Sequence, residues 1–213
     1  MIMKKVLFTL CAVLCSVYVA SAQFRLKPFE FKVKYRGEVT VGGAFSNKLQ
    51  GKYAGTHVET ASEASRLFVE TVHGVMVSDY IFVGVGVGLQ NYAGEIYKGD
   101  DRKWNTLTIP IFADLKGFLP INRSWRTFMN LGLGGSVVGY SDLSYVENGY
   151  KYKQHGGFYC DFGAGVEYRN LSFGIGLQHQ TMRQSETWID YGMTHSTEKF
   201  YTNAFYVKLG VNF

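Results

Sequence analysis

Cysteine and proline are scarce in this chain, at three residues each in 213. Cys11 and Cys15 lie in the leading segment, which leaves Cys160 alone in the remainder. A single thiol makes no internal disulfide and supports no cysteine-built metal site. Long apolar runs are missing too: past residue 22 no stretch approaches the ~20 residues of a spanning helix. Charge is sparse, with 22 Lys and Arg against 17 Asp and Glu. Removal of Lys4 and Lys5 with the leading segment lowers the formal +5 to about +3. With no basic helix to use that charge, nucleic acid is excluded as a partner. What the chain has instead is 25 glycines and 16% aromatic residues, a composition that favours many strands and poor helices.

Residues 1–22 read as a cleaved signal peptide. Lys4 and Lys5 form its positive start, Val6 to Val19 its apolar run, and Ala20-Ser21-Ala22 its small-residue cleavage site. The apolar run is too short to be kept as a membrane helix. Leucines precede Cys11 and Cys15 where a lipid anchor wants a small residue, so a lipoprotein is not expected.

The stretch 200–213 carries the plainest pattern in the chain. Tyr201, Asn203, Phe205, Val207, Leu209, Val211 and Phe213 alternate with Thr202, Ala204, Tyr206, Lys208, Gly210 and Asn212. Period two means a strand with one apolar face, here longer than the four to eight residues of a usual soluble strand. In a membrane barrel apolar residues point out to lipid and polar ones point in. Similar alternation marks strands over 34–45, 66–77, 81–92, 106–118, 125–140, 156–169 and 171–180, for eight in all. Long polar loops are expected at 46–65, 93–105, 141–155 and 181–199. Short turns are expected at 78–80, 119–124 and Asn170. Outer-membrane barrels have even strand numbers, short periplasmic turns and long outer loops. The expected fold is therefore all-β: an eight-stranded antiparallel up-and-down transmembrane β-barrel over 34–213, after a periplasmic lead-in at 23–33. Backbone groups left unpaired in lipid are too costly for any open alternative.

Several segments resemble a family. Ile109-Pro110-Ile111-Phe112-Ala113-Asp114-Leu115-Lys116, Phe82-Val83-Gly84-Val85-Gly86-Val87-Gly88, His73-Gly74 and the terminal Phe213 are similar to the small porin-like outer-membrane barrel domains of Bacteroidota. The resemblance covers nearly all of residues 23–213. It implies an eight-stranded barrel inserted by the outer-membrane assembly machinery, with Phe213 as part of the terminal strand signal. It supplies no catalytic residues.

Gly84, Gly86 and Gly88 superficially match a dinucleotide fingerprint, but that motif must open a helix, and here the strand pattern continues. Glycines facing a narrow lumen, leaving room for larger neighbours, account for it; no cofactor is expected. Glu38, Glu70, Asp114, Lys116, Arg126, Asp161, Glu167, Arg169 and Lys208 all take inward positions. Charges facing lipid near the midplane cost a few kcal/mol each, and an eight-stranded interior is only wide enough for side chains to fill it. The expected state is a charge network that plugs the lumen, with Glu38 and Lys208 meeting where the first and last strands close. His73 is expected outward, and Cys160 as a small outward hydrophobe.

The functional expectation is an outer-membrane barrel of structural or surface-interaction type. A small-solute channel is the alternative, and an acyl-modifying enzyme the third reading. The last rests on His57, Ser62 and Glu63 in one loop and His195, Ser196 and Glu198 in another, sets that polar loops produce by chance. Tyr145, Tyr150 and Tyr152 with Lys151 and Lys153 either grip an extracellular ligand or mark strand ends at the lipid interface. The expected partners are outer-membrane lipid and the assembly machinery.

Overall fold

Strands β1 (Lys34–Phe45), β4 (Ser65–Met76), β5 (Ile81–Glu95), β6 (Lys103–Pro120), β7 (Trp125–Ser141), β10 (Phe158–Tyr168), β11 (Leu171–Trp188) and β12 (Thr194–Asn212) form a closed antiparallel barrel in a computed structural model. The structure describes residues 30–46, 49–53, 56–60, 65–95, 103–142, 144, 146–147, 150–188 and 194–213. The signal-peptide reading and residues 23–29 of the lead-in lie outside them. Each strand pairs with its chain neighbour in the barrel. The seam closes between β1 and β12, in register from Glu38↔Asn212 to Phe45↔Phe205. The closed ladder leaves no open sheet edge across the apolar zone, which is what a membrane-spanning sheet would need.

The alternation in the sequence becomes two walls. On β5, Phe82 and Gln90 are buried while Val83, Val85, Val87 and Leu89 are exposed. Outward residues of β6 run from Leu107 through Ile109, Ile111 and Leu115 to Leu119. That is about 40 Å along the strand and roughly 30 Å along the barrel axis at a ~40° tilt, enough to cover an apolar band about 25 Å tall. His73 is exposed, as its register suggests. Pro110 points into the lumen, and the β5–β6 ladder lapses opposite it between Val87↔Ile111 and Gln90↔Thr108. Proline has no N–H to give.

Glycine makes the interior possible by leaving space. A Cβ at Gly86 would strike the Phe112 ring, and one at Gly176 would stand 2.6 Å from Tyr206 Cζ. These are positions where an aromatic side chain crosses the barrel above bare backbone.

The strands outrun the expected ones. Strand β11 continues past Gln180 to Trp188, and β12 starts at Thr194 rather than at 200. Most of the expected loop at 181–199 is thus hairpin. Likewise β5 and β6 narrow the loop at 93–105. Inside the expected loop at 46–65 lie β2 (Leu49–Tyr53) and β3 (Thr56–Thr60), which extend the sheet from β12. Inside that at 141–155 lie β8 (Val146–Glu147) and β9 (Tyr150–His155), which extend it from β11. The two ends of the barrel therefore differ: tight turns at 77–80, 121–124 and 169–170 on one, raised hairpins on the other.

Candidate functional site in the barrel lumen

Inward side chains fill the barrel in layers from the turn end to the hairpin end. In the first layer, Arg36 Nη2 donates to Glu167 Oε2 at 2.6 Å and to Asn212 Oδ1 at 2.6 Å. Arg126 Nε donates to Glu167 Oε1 at 2.8 Å from the other side. Both guanidinium groups lie against the Phe118 ring, at 4.9 Å and 4.3 Å, a cation–π arrangement. Below them the lumen opens at the turn end into a cavity of ≈ 800 Å³.

In the second layer, Lys116 Nζ bonds Glu38 Oε2, and Ser172 Oγ donates to Glu38 Oε1 at 3.0 Å. Asp114 Oδ2 is 3.5 Å from the same ammonium but takes no hydrogen bond. Phe82 and Phe128 flank the lysine. Next, Asn130 Nδ2 donates to Asp161 Oδ2 at 2.5 Å, with Lys208 Nζ at 3.9 Å and the Tyr206 hydroxyl at 3.4 Å from that oxygen.

Nearer the hairpins the layers become mostly uncharged. Tyr159 donates to Glu70 at 3.0 Å and accepts from Gln178 at 2.7 Å, and Gln90 also donates to Glu70. Arg66 donates to Gln178 at 2.6 Å and to Tyr92 at 2.7 Å, with its guanidinium over the Tyr92 ring. Tyr92 donates to Gln180, which donates to Ser136 at 2.9 Å. Gln154 receives Thr106 and Ser141 at the last level. One unbroken hydrogen-bond chain thus links Ser136 to Glu70 through five side chains (Gln180, Tyr92, Arg66, Gln178 and Tyr159).

Of the nine charges expected on the inner face, Glu38, Glu70, Asp114, Lys116, Asp161, Glu167 and Lys208 are buried there, and Arg126 is part-buried. Arg169 is not among them. It sits at φ 53° in the turn, exposed, with its guanidinium over the outward Tyr168 ring. The left-handed backbone ends the strand one residue early and takes its side chain out of the alternation. The expected Glu38–Lys208 pair is also corrected. The seam sets Glu38 against Asn212 and Lys208 against Gly42, so the two are four residues apart along the wall. Their partners lie across the lumen instead, Lys116 for Glu38 and Asp161 for Lys208.

Arg36 and Arg66 are buried inward charges that the sequence reading passed over. Their positions share parity with Glu38 and Glu70, which was the available signal. With them the buried and part-buried inward charges among the described residues are five cations (Arg36, Arg66, Lys116, Arg126 and Lys208) and five anions (Glu38, Glu70, Asp114, Asp161 and Glu167). These ten charges balance.

A neutral, layered lumen inside an apolar outer wall decides the architecture. The fold is that of an outer-membrane β-barrel. The outer membrane protein OprG from Pseudomonas aeruginosa superposes with a TM-score of 0.50 at 12% identity, over 84% of this chain and 95% of OprG. Neisserial surface protein A gives 0.43 at 11% identity, over 85% and 99%. The outer membrane protease OmpT from Escherichia coli gives 0.37 at 8%, over 89% and 99%. No protein-family description and no curated protein matches the sequence.

Outside the lumen, Phe213 stacks edge-on against His73, which accepts or donates to Tyr35 at 2.6 Å and Thr71 at 2.9 Å. Cys160 is free and half-buried. Tyr152 donates to Glu186 at 3.1 Å, while Lys151 and Lys153 are exposed. Tyr145 and the side chain of Tyr150 lie outside the described residues, as do the side chains of the two sets His57, Ser62, Glu63 and His195, Ser196, Glu198.

Proposed function

We propose that the protein is a sealed barrel of the outer membrane, exported through a cleaved signal peptide, with a structural or surface-interaction role. The carrying observation is the lumen's ten described charges, of which eight form ion pairs while Arg66 and Glu70 join one hydrogen-bond chain through Gln178 and Tyr159. A narrow, low-dielectric interior favours paired charges, since an unpaired one costs several kcal/mol. The turn end would then face the periplasm and the raised hairpins the outside, as short and long connections do in such barrels. We also place the chain with the porin-like barrels of Bacteroidota, on the strand motifs given above.

The test is passive flux. Protein refolded into liposomes should pass no small sugar beyond the leak of protein-free vesicles. Sugar flux through the folded wild type would replace this reading with the small-solute channel.

A further inference from the structure

Beyond the apolar belt, β11 and its neighbours carry basic side chains in one row. Strand β9 sets His155 opposite Arg183, and β12 sets Lys199 opposite Arg183 on its other side. The backbone row continues from Lys199 to Lys52 of β2. Residues paired across antiparallel strands project from the same face, with Cβ atoms about 4.5–5.5 Å apart. His155, Arg183 and Lys199 are all exposed on the outer wall, and Lys151 and Lys153 share that face of β9. Among the described residues, β9, β11 and β12 put no carboxylate there. Glu186 lies on the opposite parity and accepts from Tyr152. Like charges directly opposite one another destabilise a sheet. Neither Arg183 nor Lys199 has an ion-pair partner among the described residues, so no described side chain offsets their repulsion.

The height of the row identifies what could. Phe158, His179 and Tyr201 form an aromatic cluster on the same wall, with ring centroids 6.2 Å and 6.3 Å apart. Below it the outward residues are purely apolar: Leu177, Ile175 and Phe173 on β11, Phe205 and Leu209 on β12. Aromatic girdles mark the headgroup level of a membrane. Lys199 stands two residues beyond Tyr201, about 7 Å further along the strand. A groove of ≈ 520 Å³ opens at this level, lined by His179, Arg183, Lys199 and Tyr201 among others.

We propose that Arg183 and Lys199, with His155 beside them, bind the phosphate group of an anionic lipid in the outer leaflet, its acyl chains lying on the apolar wall below. Arginine grips phosphate oxygens in pairs, while lysine adds a point charge. This rests on the outer-membrane reading above. Free phosphate would satisfy the charges but not the apolar wall, which is why the commitment is to a lipid.

The test uses the full mature chain refolded in phosphatidylcholine vesicles, with and without phosphatidic acid, and the double variant Arg183→Gln/Lys199→Gln. Phosphatidic acid should raise the thermal midpoint of the wild type by about 3 °C, as ligand binding to the native state does. The double variant should fold equally well in phosphatidylcholine, since it loses a repulsion, and should show no rise. Arg183→Lys should keep part of it. Inorganic phosphate at the same concentration should give none, and an equal rise with it would overturn the lipid assignment. A folded barrel indifferent to phosphatidic acid, or a double variant that responds like the wild type, would overturn the site. Failure of the wild type to form a heat-modifiable barrel in either vesicle would overturn the membrane reading beneath it.

Discussion

Replacing Lys116 with methionine tests the layered lumen at its most enclosed charge. The substitution keeps the length of the side chain between Phe82 and Phe128 and removes only the ammonium that meets Glu38. Glu38 is 2% exposed, so water cannot take over. Removing one partner of a buried pair costs about 3–5 kcal/mol. Here Glu38 keeps Ser172 at 3.0 Å and Arg36 at 3.8 Å, which places the expected loss at the low end, about 3 kcal/mol. At 1.4 kcal/mol per factor of ten, the folding equilibrium should shift about a hundredfold. Adding Glu38→Gln should recover most of that loss, because the pair as a unit contributes little once neither charge is stranded. The assay is reversible urea unfolding of the refolded barrel, followed by tryptophan fluorescence and by heat-modifiable migration. A single variant within about 0.5 kcal/mol of wild type, or a double variant whose losses simply add, would refute the coupling.

Three further outcomes follow from particular contacts. Gly37→Ala would put a Cβ 2.5 Å from Phe213 Cε2, so the ring must leave His73; less folded barrel should reach the outer membrane, as on deleting Phe213, and an unchanged yield from both counts against the terminal residue as an assembly signal. Gly163→Ala would meet the Tyr206 hydroxyl and stand 2.7 Å from the Ile175 carbonyl oxygen; a loss of about 1–3 kcal/mol on unfolding is expected, and wild-type stability would mean that Tyr206 does not cross the barrel there. Epitope tags near Gly51, Gly99, Gly149 or Gly192 should be labelled on whole cells, and labelling only after permeabilisation would invert the topology.

The barrel was legible wherever the outer wall is apolar, because an apolar face opposite a polar one imposes period two. On β11, Leu171, Phe173, Ile175 and Leu177 announce the strand. From His179 onward the outward residues are Thr181, Arg183, Ser185 and Thr187, which water tolerates as well as any loop. The ladder persists there with no apolar face to reveal it, so the stretch reads as loop. The identity of the inward charges came from parity alone, and parity does not supply partners. Glu38 has Asn212 and Val72 as ladder neighbours, while its ionic partner Lys116 comes from a strand on another part of the wall. Lys208 lies between Gly42 and Gly174 on the ladder. Bare backbone on both sides leaves its long side chain to reach inward to Asp161. Such pairings depend on the diameter and stagger of the closed barrel, which no local stretch of sequence encodes.

The layering separates two properties that a simple plug would join. Arg36, Arg126 and Glu167 fill the level nearest the turns, Glu38 and Lys116 the level above, then Asp161 with Asn130 and Tyr206, then Glu70 with Tyr159, then Arg66 with Tyr92. Loss of one level leaves the others in place, held by residues from different strands. Lys116→Met should therefore weaken the barrel by the amount argued above and still leave it closed to sugars. Stability is sensitive to each layer, because each buries charge. On the sealed-barrel proposal permeability should respond only to their joint removal, because water needs a continuous path. On the sealed-barrel proposal, specific recognition would fall to the outer wall and raised hairpins, where Arg183 and Lys199 stand with no ion-pair partner among the described residues.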